Sequence, residues 1–181
     1  MSINNRYFQQ HHRLFRGVVR DFVKTEIFPN IEKWEEQGFV PRSVFKDMGD
    51  LGFLGLEYEN EFGGSGTDFW MTVVLAEELA KCKSGGVGFS IIVHTDMSSP
   101  WLHKYGSAKQ KSEFLPGIIQ GKQVCALAIT EPNAGSDMAQ ISTSAIKKGG
   151  NWIINGTKTF ITNGVYGDLF FLAAKTDNSP K

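Results

Sequence analysis

The spacing of apolar residues divides the chain into a helical first part and a strand-rich second part. Near the amino terminus, apolar residues recur every three or four positions, which predicts one helical face made of Phe8, Phe15, Val18, Val19, Phe22 and Val23. The same spacing predicts a second helix that has Pro41 in its first turn and an apolar face made of Val44, Phe45, Met48 and Leu51. Gly49 is expected to weaken this helix and Gly52 to end it.

Capping residues predict where the later helices begin. Thr67 or Asp68 is placed to cap a helix that is expected to end at the glycine pair of residues 85–86. The next helix is expected to be disturbed near Pro100. Residues 107–110 begin with Ser and end with Gln, a capping-box pattern that predicts the start of a further helix.

After residue 121 the pattern changes to that of strands. Residues 124–130 form a short apolar run, and residues 141–164 alternate between apolar and polar side chains. The alternating segment contains the pairs Asn155-Gly156 and Asn163-Gly164, and an Asn-Gly pair between strands is a strong hairpin signal. Residues 168–175 predict one more strand.

Helices followed by strands predict an α+β chain of two domains. We expect residues 1–122 to form an all-helical amino-terminal domain and residues 123–181 to form part of an antiparallel β domain. The chain ends directly after a predicted strand, whose edge would be unpaired, so we expect the β domain to be incomplete.

Composition and charge narrow the class of protein. The 181 residues carry 19 basic and 19 acidic side chains, and this balance gives no indication of a nucleic-acid partner. No apolar run reaches the length of a membrane span. We expect Cys82 and Cys125 to be reduced, and we expect no metal site because none of the histidines has the spacing of a helical ligand pair. The arginines at the amino terminus resemble a transit peptide, but the helical pattern continues through them.

Thr130–Asp137 is the first segment that could carry a site. Pro132 favours an extended conformation at Glu131, and the short side chains that follow leave backbone N–H groups accessible to an anion. The segment has neither a dinucleotide fingerprint nor a phosphate-loop motif, so physical reasoning alone favours a plain surface turn. Asp137 is expected to fix the loop through bonds to its own backbone.

The second segment is residues 158–164. If it is a strand, Phe160 and Thr162 share one face, and Ile161 lies on the other. An aromatic ring beside a hydroxyl could flank a planar heterocycle. Packing over a domain interface explains the same pattern and is favoured when this segment is considered alone.

Taken together, "ALAITEPNAGSD" and "NWIINGTKTFITNG" closely resemble the acyl-CoA dehydrogenase family. The resemblance extends through "LGFLGLEYENEFGGSG", "VVLAEELAK" and "YGSAKQKSEFLPGIIQGK" and is nearest to the long-chain branch. It implies a helical amino-terminal domain, a middle β domain and a carboxy-terminal helical bundle that lies beyond this chain. It also implies an FAD enzyme that oxidises the Cα–Cβ bond of an acyl-CoA thioester to a trans-2-enoyl-CoA.

The resemblance assigns cofactor contacts to nine residues, which are Leu127, Ala128, Ile129, Thr130, Gly135, Ser136, Phe160, Ile161 and Thr162. Ile129 and Thr130 would lie near the pyrimidine side of the isoalloxazine, Ser136 near the pyrophosphate, and the Thr162 hydroxyl near N5. Many relatives have Trp in place of Phe160, so only an apolar contact is expected from this ring. Asn133 replaces a glycine common in the motif, and Asn tolerates the left-handed conformation better than most residues.

The resemblance also implies the substrate contacts and what is missing. The acyl-CoA would contact Ser136 and an acyl pocket formed by Ser90, Val93 and Met97. The catalytic base in this family is a glutamate in the carboxy-terminal bundle, so it is expected beyond Lys181, and Glu131 belongs to the cofactor loop instead. We therefore expect this chain alone to be inactive.

Partners and compartment follow from the same resemblance. Electron-transfer flavoprotein is the expected electron acceptor, and a homo-oligomer is expected at full length. The compartment is expected to be the cytoplasm, or the mitochondrial matrix in a eukaryote. The alternatives are an acyl-CoA oxidase or flavin monooxygenase of the same fold, or a non-catalytic binding module in which residues 130–137 are only a turn.

Overall fold

The computed structural model describes residues 7–177, in which helices precede strands. The described α-helices are α1 (Gln10–Phe22), α2 (Ile31–Gln37), α3 (Arg42–Asp50), α4 (Phe69–Leu79), α5 (Gly85–Ile92), α6 (Ser99–Tyr105) and α7 (Ala108–Ile119). The strands are β1 (Cys125–Ala128), β2 (Ser144–Lys148), β3 (Asn151–Asn155) and β4 (Leu169–Leu172). The predicted α+β order is confirmed, and the ends of the two predicted domains, residues 1–6 and 178–181, lie outside the described residues. Within residues 7–177, no helix is both long enough and apolar enough to cross a membrane.

Side-chain caps begin α4 and α7 where the sequence predicts them. At α4, Asp68 Oδ1 accepts a hydrogen bond from Trp70 N at 2.9 Å. At α7, Ser107 Oγ accepts from Gln110 N, and Gln110 Oε1 accepts from Ser107 N. Because these bonds connect residues two or three positions apart, the local sequence is sufficient to specify them.

The prediction that the glycines at 85–86 end a helix was wrong. α4 passes into a short 3₁₀ turn, Ala80–Cys82, and ends at Lys83, which takes the left-handed conformation with φ of 67°. Ser84 then caps α5 by accepting a hydrogen bond from Val87 N, so the glycines form the first turn of α5.

The apolar faces of α1 and α3 pack into one core. α1 continues through a π-helical turn, Val23–Ile27, and the predicted apolar residues Phe8, Val19, Phe22 and Val23 are buried. Val18 is exposed because it is rotated by about 100° from Val19 around the helix axis. Leu51 is also exposed, since it lies just beyond the end of α3.

A π-helical turn, Val93–Ser98, joins α5 to α6, so the predicted disturbance precedes Pro100 rather than coinciding with it. This turn buries His94, whose Nδ1 accepts a hydrogen bond from Cys125 N at 3.1 Å. Burial lowers the pKa of His94 to about 4, against a smaller opposing effect of the Ile118 backbone. A neutral imidazole therefore connects the helices to the start of β1.

α1 and α4 also share a buried carboxylate. Glu78 accepts hydrogen bonds from Arg16, Arg20 and Lys81 at 2.9, 3.1 and 2.6 Å respectively. Burial by itself would raise the pKa of Glu78, but hydrogen bonds from Arg20, Lys81 and Arg16 outweigh it and lower the pKa to about 2. The charge is compensated, so it connects the two helices without an unpaired buried ion.

The strands form two pairs. β2 and β3 are antiparallel, with Ile146 opposite Ile153, and their turn is Gly149-Gly150, in which both φ angles are positive. The expectation of hairpin turns at the two Asn-Gly pairs was wrong, because Asn155 is the last residue of β3 and Asn163-Gly164 lies outside the strands.

β1 and β4 are parallel, with Cys125 opposite Leu169. The strand part is therefore mixed, and the predicted antiparallel pairing holds only for the hairpin. Asp168 begins this pairing because its carboxylate accepts a 2.7 Å hydrogen bond from Val124 N and also accepts from Arg42. Arg42 begins α3, so the parallel pair is hydrogen-bonded to the helical part of the chain.

Gly49, the second-last residue of α3, permits a close approach that the sequence does not reveal. A Cβ built on Gly49 would lie 2.4 Å from the carbonyl carbon of Gln120, in the turn after α7. Gly17 is also inside a helix, α1, but a Cβ there would have nothing within 4 Å.

These two glycines predict opposite effects of the same substitution. We expect Gly49→Ala to lower the free energy of unfolding by about 2–3 kcal/mol, because backbone must move to accept the methyl group. We expect Gly17→Ala to raise it by about 0.5–1 kcal/mol through helix propensity. Urea unfolding followed by circular dichroism measures both, and equal effects of the two substitutions would contradict the close approach at Gly49.

Candidate functional site

The two segments singled out by the sequence lie side by side. Thr159 N donates a hydrogen bond to Thr130 O at 2.9 Å, and Lys158 Nζ donates to Ile129 O at 2.8 Å. Ile129 and Thr130 are half-buried and follow directly after the end of β1. Tertiary folding therefore brings together residues that are 29 positions apart.

Glu131 is a buried carboxylate that hydrogen-bonds its own segment to the segment of Lys158. Its Oε1 accepts hydrogen bonds from Lys158 Nζ at 2.8 Å and Thr143 N at 2.9 Å, and its Oε2 accepts from Ser142 N and Oγ at 2.6 and 2.7 Å. These bonds, led by that of Lys158, hold the pKa of Glu131 far below its ordinary value. A carboxylate whose lone pairs are so occupied is a poor proton acceptor, so Glu131 is not suited to act as a general base.

The loop after Glu131 is closed by its own backbone. Glu131 and Ala134 exchange hydrogen bonds of 2.8 and 3.1 Å, which leaves Pro132 and Asn133 at an exposed tip. Asp137 Oδ1 accepts from Ala139 N at 3.1 Å, which confirms the prediction that Asp137 bonds to nearby backbone.

Gly135 and Ser136 present unused donors. Both residues are exposed, and neither their N–H groups nor the Ser136 hydroxyl bonds to any other residue between 7 and 177. A Cβ built on Gly135 would have nothing within 4 Å, so the space beside the loop is open. Adjacent backbone donors of this kind can hold an anionic group.

The prediction that Phe160–Thr162 forms a strand was wrong. Phe160 takes the left-handed conformation with φ of 54°, and its ring is 92% exposed. Ile161 and Thr162 are half-buried, and Thr162 Oγ1 makes no hydrogen bond with another residue in the described part of the chain. A strained backbone that holds an aromatic ring in solvent is typical of a ligand-contacting segment.

Ile161 and Thr162 border a cavity of about 400 Å³ between the strand part and the helices. Ser90 of α5 and the rings of Trp34 and Phe39 line its other side. Ser90 and Thr162, which the sequence assigned to different ligands, therefore face the same space.

Val93 and Met97 do not join Ser90 in that cavity. Val93 is buried in the π-helical turn, and Met97 is exposed. The cofactor loop of residues 127–136 does not line the cavity either.

Sequence reasoning missed Lys158 and Asn163. Lys158 is the partner of Glu131, and Asn163 bonds to both the helices and β1. The available signal for Lys158 was Glu131 itself, since a carboxylate directly after a buried strand requires a compensating cation. For Asn163, the Asn-Gly pair indicated a left-handed residue but not its buried partners.

His11, His12 and Asp68 form a potential metal cluster among residues 7–177. Gln9 N donates to His12 Nδ1 at 2.9 Å, so the ring hydrogen lies on Nε2, which donates to Asp68 Oδ1 at 2.9 Å. A metal at Nε2 would replace the bond to Asp68. The ring hydrogen would then have to move to Nδ1, where it would face the Gln9 N–H and break that bond as well. His12 is therefore better described as a structural histidine that connects α1 to the cap of α4.

The available groups fit a planar ring with an anionic tail. Gly135 and Ser136 supply donors for the tail, and Thr162 and Phe160 supply a hydroxyl and an exposed aromatic surface for the ring. The Glu131–Lys158 pair keeps the two contributing segments together.

Two family models match the chain. Residues 9–122 match the acyl-CoA dehydrogenase N-terminal domain, and residues 126–181 match the acyl-CoA dehydrogenase middle domain. The mitochondrial long-chain specific acyl-CoA dehydrogenase of Rattus norvegicus is 39% identical over 176 residues, which are 97% of this chain and 40% of that protein.

Solved structures are similar over the same extent. The acyl-CoA dehydrogenase of Geobacillus kaustophilus superimposes with a TM-score of 0.89 at 42% identity, over 97% of this chain and 46% of the other. A glutaryl-CoA dehydrogenase of Mycobacterium smegmatis in complex with FADH2 gives a TM-score of 0.90 at 34% identity, over 98% of this chain and 45% of the other. This chain therefore spans less than half the length of these relatives.

The Glu131 carboxylate predicts an acid-sensitive contribution to stability. Because its folded pKa is depressed, this contribution is fully present above the ordinary value of 4.5 and is lost as the pH falls towards the folded pKa. We expect Glu131→Gln to lower the thermal midpoint at pH 7, and we expect the gap from wild type to narrow below pH 4.5. The matched control is Glu113→Gln on the exposed face of α7. A pH-independent gap, or an equal effect at Glu113, would contradict this role.

Proposed function

The chain belongs to the acyl-CoA dehydrogenase family, and we propose that it forms part of the FAD and acyl-CoA sites of an enzyme that oxidises an acyl-CoA to trans-2-enoyl-CoA. The observation that carries this proposal is the direct hydrogen bonding between residues 129–131 and 158–159. It holds the segment that carries the unused donors against the segment that carries the exposed ring, which supports a site for a cofactor with a ring and a phosphate tail. When bound, FAD accepts the β hydrogen of the substrate as a hydride.

The proposed FAD contacts come from both segments. In the first, Leu127 and Ala128 belong to β1. Ile129 and Thr130 would hold the pyrimidine side of the ring, and Gly135 and Ser136 would donate to the pyrophosphate. In the second, the exposed Phe160 would contribute an apolar surface to the ring. Ile161 would also contact the cofactor, and the Thr162 hydroxyl would lie near N5. Asp137 Oδ1 accepts a hydrogen bond from Ala139 N, which fixes this side chain within the loop.

The proposed thioester contacts are Ser136, Ser90, Val93 and Met97. Ser90 has support from the cavity that it shares with Thr162. Its hydroxyl already donates a hydrogen bond to Asn163 Oδ1 at 2.5 Å, so Ser90 Oγ can only accept a hydrogen bond from a ligand. Val93 and Met97 do not line this cavity, so their assignment rests on the family resemblance alone.

The α proton of the substrate requires a carboxylate base, and we propose that this base lies outside these 181 residues. The hydrogen bonding of Glu131 supports this assignment, because both of its oxygens are occupied and its lowered pKa makes it a weak proton acceptor. The same proposal includes a domain boundary near residue 122 and electron-transfer flavoprotein as the electron acceptor. It also includes a homo-oligomer at full length and a location in the cytoplasm or the mitochondrial matrix.

FAD binding tests the cofactor assignment. We expect the purified chain to quench FAD fluorescence on titration, and we expect Ser136→Ala to weaken binding about tenfold through the loss of one donor to a phosphate. Ser112→Ala, on the exposed face of α7, is the matched control and should bind as wild type does. If the chain takes up no FAD, the cofactor proposal is contradicted, and a non-catalytic binding module is favoured.

Substrate oxidation tests the assignment of the base. We expect the FAD-loaded chain given octanoyl-CoA not to reduce ferrocenium, because Glu131 cannot take the α proton. A protein that continues through the length of the relatives should reduce it, and its preference for electron-transfer flavoprotein over oxygen distinguishes a dehydrogenase from an oxidase or monooxygenase. Rapid reduction by this chain alone would place the base within its residues.

A further inference from the structure

The side-chain amide of Asn163 is buried, and all four of its hydrogen-bonding positions are filled. Nδ2 donates to Ser90 O at 3.0 Å and to Cys125 O at 2.9 Å. Oδ1 accepts from Ser90 Oγ at 2.5 Å and from Tyr166 OH at 3.0 Å. The two hydroxyls could also accept, but the two carbonyls cannot donate, so exchanging the amide oxygen and nitrogen would place the oxygen against the carbonyl oxygens of Ser90 and Cys125. The network therefore fixes the orientation of Asn163.

The partners of Asn163 come from three parts of the fold. Ser90 lies in α5, Cys125 is the first residue of β1, and Tyr166 lies in the turn that leads to β4. The backbone is fixed as well, since Gly167 N donates to Asn163 O at 2.7 Å. Asn163 itself is left-handed with φ of 64°, a conformation that Asn accepts more readily than most residues.

Asn163 directly follows Thr162, whose hydroxyl bonds to no other residue between 7 and 177, and it is three residues after the exposed Phe160. Thr159, one residue before Phe160, is held by its hydrogen bond to Thr130 O. On the other side of the segment, the buried amide of Asn163 is the anchor directly next to Thr162.

We infer that Asn163 is a positioning residue, which fixes Thr162 and Phe160 relative to β1 and α5 and thereby sets the geometry of the second FAD-contacting segment. This inference rests on the proposed function for its ligand. It also gives Ser90 a second role, because the hydroxyl and carbonyl of Ser90 hold the amide in addition to bordering the cavity. The helices thus determine the placement of a cofactor-binding segment that lies 73 positions away.

The substitution Asn163→Asp tests the hydrogen bonds of the amide while it leaves the size of the side chain unchanged. Aspartate keeps the size and the tolerance of the left-handed backbone, but its carboxylate faces the carbonyls of Ser90 and Cys125 without a donor. We expect FAD affinity to fall about tenfold or more. A protonated aspartate regains one donor, so the loss should shrink as the pH is lowered. Asn151→Asp, at the exposed start of β3, is the matched control.

Two milder substitutions keep the test valid if Asn163→Asp fails to fold. Ser90→Ala and Tyr166→Phe each remove one hydroxyl that donates to Asn163 Oδ1, and each should weaken FAD binding by about threefold. Hydrogen–deuterium exchange of the peptide covering residues 158–168, measured without FAD, should become faster in every folded variant.

The two measurements separate this inference from the proposed function. If wild type binds FAD and the variants bind equally well, or if exchange in residues 158–168 is unchanged, Asn163 is not a positioning residue. If wild type binds no FAD, the proposed function is contradicted, and the exchange measurement alone decides whether Asn163 orders the segment. Faster exchange combined with weaker, pH-dependent FAD binding in Asn163→Asp supports the inference.

Discussion

The candidate site depends on the need to compensate one buried charge. Glu131 follows β1 and is almost inaccessible to solvent, so its carboxylate must be paired and hydrogen-bonded to remain ionised. Lys158 and the backbone of Ser142 and Thr143 meet that need, and Lys158 can do so only if its segment lies against the end of β1. The adjacency of the two proposed cofactor segments is thus a consequence of electrostatics.

The helical part contributes geometry rather than reactive groups. The neutral imidazole of His94 bonds to the first residue of β1, Arg42 pairs with Asp168 at the start of β4, and Ser90 holds Asn163. Each contact joins a helix to a loop or strand end near the candidate site. The proposed cofactor contacts lie on loops, where their donors are accessible. Because these loops are anchored to packed helices, the donors also have a defined position.

Local signals predicted the helices better than the strand part. Asp68, Ser107 and Gln110 cap helices through bonds that span two or three residues, and these predictions are confirmed. The errors concern the strand part. Phe160 leaves the extended conformation that its alternating neighbours indicated, and the two Asn-Gly pairs form no hairpin turn, while Gly149-Gly150 forms the turn between β2 and β3. The identification of the family came from motif resemblance, since physical reasoning alone favoured a surface turn.

By itself, the sequence determined the helical periodicity, the caps, the change from helices to strands and the family, because each of these is encoded by neighbouring residues or by a continuous motif. Only the tertiary structure decided that Glu131 is an ionised anchor rather than a base, since its partners lie 11 to 27 positions away. The same holds for Asn163, whose orientation depends on Ser90 and Cys125. Hydrogen bonding between distant segments is set by packing, and no local pattern reports it.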